Sequence, residues 1–376
     1  MMRPLYKGVG TPQKNPHSNK GLWFERFFNQ YDVACNLKEP TKDEPDVGKL
    51  YWIKTVISGR CGNEEALKQA CERQRLLCGK LGGEFQAFKT TWHFATGLGN
   101  THPVENGFLW HPTLGTPYLS GASIKGMVRA WVENWSGLED SEKREICLLL
   151  FGSDNKNPKK QPNDNQAGSF IFFDALPLEP VLLTADIMTP HMKHWYAKGD
   201  TLLDLNDPNA NDIIPADWHN PTPIPFLAVE KASFLFSIAP RTEKDNEYLA
   251  KIMKALEFSL SYMGAGAKTA TGYGFFESDT DFNKAWEQQR QQAKLAALPL
   301  KERYCAELNA KTDKQIAEMF GKDFNATQTK YADTWETLLE SLFDLKKDVI
   351  TTWATADKKS AEGKAYRKLK DLENRA

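Results

Sequence analysis

TGLGNTHPVENGFLWHPTLGTPYLSGASIKGMVRAW, residues 96–131, joins two patterns of different period. Just before it, over 85–96, Phe88, Thr90, Trp92 and Phe94 fall on every second position, the spacing of a strand. At its end and beyond, Ile124, Met127, Val128, Trp131, Val132 and Trp135 recur at three- and four-residue steps, the spacing of one helix face. Ser123 has the short hydroxyl side chain of an N-cap, so the helix is expected from there to about Trp135. Between strand and helix, Gly115, Gly121 and Gly126 let the backbone turn tightly and approach a ligand closely.

Outward from this stretch the alternation continues. Strands are expected at 169–176, 181–187, 226–229 and 233–238, and a last short one at 273–276. Leu249, Ile252, Met253, Leu256, Leu260 and Met263 share the face of a second helix. The order strand, helix, strands, helix, strand predicts an α+β fold, a ferredoxin-like core over 85–276. Two insertions interrupt it. Residues 153–168 are polar, carry three lysines and are expected to form a mobile loop. Residues 189–225 are rich in Pro, Asp and Asn but contain Trp195, Tyr196 and Trp218; a loop that long is usually functional or disordered. For the two tryptophans, stacking on a ligand and a buried hinge both remain open.

The flanks differ from the core. In the N-terminal region, 1–84, the first twenty residues should be extended. Asn63 should cap a helix reaching Cys78, with Leu67, Cys71 and Cys78 on one face and Gly79 closing it. Residues 277–376 lose the strand pattern and carry 18 basic and 18 acidic residues, with a mildly basic tail from Asp357. This region should be helical, with Trp335, Leu338, Leu339, Leu342 and Phe343 as its packing stripe.

Composition narrows the function. The 376 residues carry 48 basic and 49 acidic side chains, so the chain lacks the basic surplus of a free-standing nucleic-acid binder. Any such binding must rest on local patches or be shared among subunits. No apolar run approaches the roughly 18–20 residues of a membrane span, and no apolar stretch follows the basic start, so a cytoplasmic protein without a membrane partner is expected. The six cysteines show no CxxC pair and read as packed thiols, which argues against zinc.

Two glycine-punctuated loops carry the binding chemistry, 114–126 and 264–274. In the first, helix N–H groups opened by Ser123 favour an anion. Lys125 sits in the first turn and Arg129 four residues on. Cations there are unfavourable by roughly 0.3–1 kcal/mol, a sign that a bound phosphate would reverse. The second loop, GAGAKTATGYG, fails the phosphate-loop pattern of nucleotide hydrolases. Aligned on Lys268-Thr269, its two glycine positions hold Tyr262 and Ala267. What remains is Gly264, Gly266, Gly272 and Gly274 with Lys268 and Thr269, a sequence whose backbone N–H groups could form a phosphate nest.

Together the loops resemble those of the RAMP superfamily of CRISPR-associated proteins. The residues that carry this are Gly115, Pro117-Tyr118, Gly121, Ser123, Ile124-Lys125-Gly126 and Arg129, then Gly264, Gly266, Gly272 and Gly274. The superfamily's first motif commonly reads PYxPGSSxKGxxR; this chain has Ser120 and Ala122 where proline and serine are usual. Within the superfamily the likeness is greatest to the family of sixth subunits of the type III-B (Cmr) effector, through GLGxxHPxExG at 97–107 and Pro190-His191. The resemblance covers roughly 85–276. It implies an RRM-like core and a non-cutting subunit in a hetero-oligomeric filament of Cmr/RAMP subunits. It also implies contacts with CRISPR RNA and target RNA. Position by position it makes Ser123, Lys125, Gly126, Arg129, Gly264, Gly266, Lys268, Thr269 and Gly272 the RNA-contact candidates, with no cofactor and no metal.

Histidines keep one alternative open. His102, Glu105 and His111 lie close in sequence, and His191 and His194 follow in the insertion. Glu105 with His102 could act as acid and base in an endoribonuclease. Against a metal, no HxH or HExxH spacing exists. Otherwise His102 and His191 are expected to hold loops through hydrogen bonds.

Overall fold

The computed structural model describes residues 14–15, 18–153, 166–204, 206–208 and 210–373. The expected extended start and mobile loop fall mostly on 1–13, 16–17 and 154–165, outside the described residues. The chain divides into two compact units, Met1–Thr280 and Asp281–Ala376.

The first unit is built on a strand–helix–strand repeat: β1 (Glu84–Thr90), α1 (Gly121–Trp135), β2 (Phe170–Phe172), β3 (Ser233–Pro240), α2 (Leu249–Phe258) and β4 (Phe276–Ser278). The strands hydrogen-bond in the order β2-β3-β1-β4, every pair antiparallel. That is the ferredoxin-like order. Leu176–Pro177 adds a second, short pairing to β3. Register sets Phe88 opposite Phe234 and Ala87 opposite Leu235. Phe88, Phe234, Phe236 and Phe276 pack edge to face, with centroids 5.5–5.8 Å apart. Burying each contributes about 1.5–3 kcal/mol.

Seven of the eight β3 residues are buried because both faces of the sheet are covered. Phe234, Phe236 and Ile238 join the core with Ile124 and Val128 of α1 and Ile252 and Leu256 of α2. On the other side lies helix Glu64–Lys80, whose Gln74 Nε2 donates to the Ser237 hydroxyl at 3.1 Å. Its Asn63 cap accepts from the Ala66 N–H, and Cys71 and Cys78 are buried, as expected; the helix runs past Gly79 to Lys80. Burial pushes the Cys71 and Cys78 thiols up to about 11. Cys35 is exposed and Cys305 half-buried, so packing does not account for all six thiols.

Three strand expectations shift, the one at 169–176 breaking into Phe170–Phe172 and Leu176–Pro177. The first strand ends at Thr90, and Trp92 is exposed rather than aligned with Phe88 and Phe94. The cause is a change of partner. Thr91 N–H donates to the Phe275 carbonyl, while Phe94 pairs with Val229 of a second sheet. That sheet is the hairpin Leu183–Met188 with Ile224–Val229, from which the 189–223 excursion projects. The last strand begins at Phe276, because Gly274 is held at φ +71° in the loop before it. The second helix ends in a π-turn, Ser259–Met263.

The N-terminal elements share the same core. Phe24, Trp52, Ile53 and Val56 pack with Phe94, Val104 and Trp110. Lys20 is buried, and its ammonium donates to the Ser58 and Gly59 carbonyls at 2.6 Å. It thereby satisfies the open carbonyl end of helix Gly48–Ile57.

The second unit is all helical within the described residues. Leu300–Asn309, Asp313–Phe320, Trp335–Thr352 and Ala361–Glu373 bury Leu308, Ile316, Phe320 and Leu369. Leu338 and Leu342 sit in this core, with Trp335, Leu339 and Phe343 packed against it, so the expected stripe is the one used.

Candidate nucleic-acid interface

α1 is capped three residues earlier than expected. Ser120, not Ser123, is the N-cap, and its hydroxyl accepts from the Ser123 N–H at 3.3 Å. The reason lies in Gly121. A Cβ there would stand 2.1 Å from the Phe172 carbonyl oxygen, so the chain comes against the end of β2 where only glycine fits. The Gly121 N–H donates to Asp174 Oδ1 at 2.7 Å. A carboxylate of the protein already occupies part of the anion position expected at this helix end.

The 264–274 loop is held by its own backbone. The N–H groups of Gly264, Ala265, Ala267, Thr271, Gly272, Tyr273 and Gly274 all donate to protein carbonyls. Gly266 and Gly274 have φ of +85° and +71°, and a Cβ on either would run into the carbonyl of Ala95 or Ala265 at 2.2 or 1.9 Å. Among the described residues, the N–H groups of Gly266, Lys268, Thr269 and Ala270 have no acceptor. The loop is a rigid turn with a few outward donors rather than a full nest.

The fold brings the two loops together. An open groove of about 520 Å³ has Ser123 and Met127 of α1 on one wall and Met263, Gly264, Gly266 and Thr269 on the other. Thr96, Gly97, Gly99 and Asn100 form its end. Sequence reasoning did not single out these last residues as contacts. Gly97, at φ +69° and with no room for a Cβ beside Leu109, is the signal that could have drawn them in. Beyond Met127 the helix face turns aromatic. Trp135, Trp131 and Tyr262 form a ladder with 5.8–6.2 Å centroid spacings and 23° interplanar angles, its ends exposed.

The other candidates lie elsewhere. Lys125 and Arg129 are two residues on from Ser123 and Met127, a turn of about 200° around a helix, and they do not line the groove. Arg129 Nε pairs with Glu133 at 2.6 Å. Lys125 is held below the usual lysine range by burial and by the nearby cations of Arg241 and Arg129. Lys268, at φ +60°, points its ammonium over the Phe226 ring, 5.4 Å from the centroid. Gly272 is exposed at φ +96°, and Gly126 is an exposed helical residue with open space where a Cβ would be.

The histidines act as fasteners. His102 Nε2 donates to the Phe24 carbonyl at 2.8 Å, and its Nδ1 accepts from the Val104 N–H at 3.2 Å. Its ring stacks on Phe24 at 3.9 Å, and burial pushes its pKa down. Glu105, opposite His102 in a two-residue hairpin and at φ +79°, is paired with Lys49. His191 Nδ1 bonds the His219 carbonyl at 2.9 Å. Loop-holding is thus the observed role of His102 and His191. No cluster of three His, Cys, Asp or Glu side chains suited to a metal occurs among the described residues. Trp195 and Trp218 are 39% and 66% exposed, so neither is a buried hinge; the Trp218 indole N–H donates to the Asn211 carbonyl.

Several known proteins are similar to parts of this chain. The Cmr6 subunit of the CRISPR Cmr system from Pyrococcus furiosus is 28% identical over 239 residues, covering 50% of this chain and 65% of the relative. The Saccharolobus solfataricus Cmr6 subunit is 25% identical over 176 residues, 46% of this chain and 49% of the relative. The chain thus spans less than two thirds of either curated relative. A cryo-EM structure of a type III-B Cmr-beta complex bound to cognate target RNA contains a chain 20% identical, covering 65% of this chain and 77% of that one. The TM-score of that match is 0.43. The family model of the RAMP superfamily matches residues 87–277, just over half of the chain. That span begins in β1 and ends in β4, and on it this chain belongs to the RAMP superfamily.

Proposed function

We propose that this chain is a non-catalytic, RNA-binding structural subunit of a type III-B (Cmr) CRISPR ribonucleoprotein in the cytoplasm. It holds the CRISPR RNA and the guide–target duplex within a hetero-oligomeric filament of Cmr/RAMP subunits, in antiviral defence. The observation that carries the reading is the groove in which the two glycine loops meet. Ser123 and Thr269 offer hydroxyls there, and Gly266 and Thr269 offer backbone N–H groups on a rigid turn. Lys125 and Arg129 add positive charge on the far side of α1, within reach of a backbone that crosses the helix. The near-zero net charge suits a share of a distributed grip rather than tight binding by one chain.

Nothing favours the endoribonuclease alternative. Both ring nitrogens of His102 are engaged, and Glu105 is tied to Lys49. The test is Lys125→Ala with Arg129→Ala in the assembled complex. RNA retention should fall about tenfold while the variant chain keeps its melting temperature. Unchanged retention would sink the proposal.

A further inference from the structure

Opposite the groove, α1 faces a second open cavity, of about 610 Å³, between it and helix Asp140–Phe151. Arg129, Lys143 and Arg144 line it, with Glu133 and Asp140 as the only carboxylates among the described lining residues. Both carboxylates are already engaged, Glu133 by Arg129 at 2.6 Å and Asp140 by Lys143 at 3.4 Å. Arg144 uses only Nε, donating to the Asp140 carbonyl at 3.2 Å. Its two terminal nitrogens have no partner among the described residues. Cys147, Leu148, Gly152 and Ser153 also line the cavity.

Among the described lining residues, three cations face two carboxylates. Burial first, and then the nearby cations of Arg241 and Arg129, hold the Lys125 ammonium below its usual range. An anion placed among these groups removes that repulsion, and a cavity of this size accepts a nucleotide. Ser123 on the groove side and Arg129 on the cavity side lie only about 9 Å apart along the helix axis. One short strand crossing α1 reaches both.

We propose that this cavity is a second phosphate site, in which Arg144 and Lys143 bind a backbone phosphate of a single-stranded RNA that leaves the groove across α1. The RNA identity of the ligand rests on the function proposed above; the phosphate chemistry does not.

The test uses the full chain and a fluorescent single-stranded RNA, with anisotropy read over a salt series at low ionic strength. A Lys143→Ala, Arg144→Ala double variant should bind about fivefold more weakly. Its slope of log affinity against log salt should be shallower by about 0.7 for each phosphate that the variant no longer neutralises. Arg144→Lys should restore most of the slope. A double variant with the wild-type slope and affinity overturns the proposal. Inorganic phosphate provides the second arm. It should raise the melting temperature of the wild type more than that of the double variant. Equal shifts in the two proteins count against the site. A phosphate effect with unchanged RNA slopes assigns the cavity to free phosphate and overturns the RNA assignment. If the wild-type chain alone binds no RNA, as a share of a distributed grip allows, the phosphate arm decides, and equal melting shifts there overturn the site.

Discussion

Gly266 shows how much of this molecule rests on single backbone positions. Its φ of +85° is in the left-handed region, and a methyl group on it would stand 2.2 Å from the Ala95 carbonyl oxygen. That carbonyl also accepts the Ala267 N–H at 2.7 Å, so the loop cannot back away without breaking a hydrogen bond. Gly266→Ala should therefore destabilise the chain by about 1–3 kcal/mol, read as a lower urea midpoint with unchanged slope. A midpoint equal to wild type would mean that the turn yields easily. Gly126 is the counterpart: it meets nothing within 4 Å and has ordinary helical geometry. The sequence presents both glycines alike, because nothing in it distinguishes a glycine forced by φ from one that only leaves a surface bare.

Among elements, the attachment of the N-terminal helix Lys20–Arg26 to the core turns on His102. Its Nδ1 must stay unprotonated to accept the Val104 N–H, and burial lowers its pKa in the folded chain. Unfolded, the side chain returns to about 6.5. The stability it contributes is therefore complete above that value and is lost as pH falls towards the lower folded pKa. His111, lowered by burial too, acts in the same direction. Melting temperature should drop between pH 7 and pH 5, and the drop should be smaller in His102→Gln. Equal drops in both would leave His102 without this role.

The elements also show where sequence reading stops. The ferredoxin-like order is legible because Phe, Ile and Val recur at strand and helix periods across 85–276. The cap is not. Ser120 and Ser123 are both good N-caps, and the choice is made by the contact of Gly121 with Phe172, fifty residues away in sequence. The separation of Lys125 from the groove is readable in principle, since two residues turn a helix by about 200°. Treating one motif as one surface obscures it. The basic cavity is out of reach, because Lys143 and Arg144 belong to no glycine loop and meet Arg129 of α1 only in the folded chain.

At the scale of the whole molecule, the two units each possess a closed hydrophobic core. Such units fold alone when their cores are complete. A chain ending at Thr280 should melt cooperatively, within a few degrees of one transition of the full-length protein, by calorimetry. A truncated chain that fails to melt cooperatively would show that the second unit is needed for the first to fold. Co-purification of that truncated chain with neighbouring subunits then separates a docking role of 281–376 from RNA binding.

The ladder of Trp135, Trp131 and Tyr262 gives the protein an optical property of its own. Three near-parallel rings at 5.8–6.2 Å are close enough for their transition dipoles to couple, so this surface has a circular-dichroism signature distinct from that of isolated indoles. Trp131 stands one helical turn beyond Met127 on the groove wall, and Tyr262 adjoins Met263 across from it. The coupling therefore depends on the spacing of α1 from the π-turn that leads into the second glycine loop. Any movement that widens or narrows the groove is written into the chain's own spectrum, without an added label.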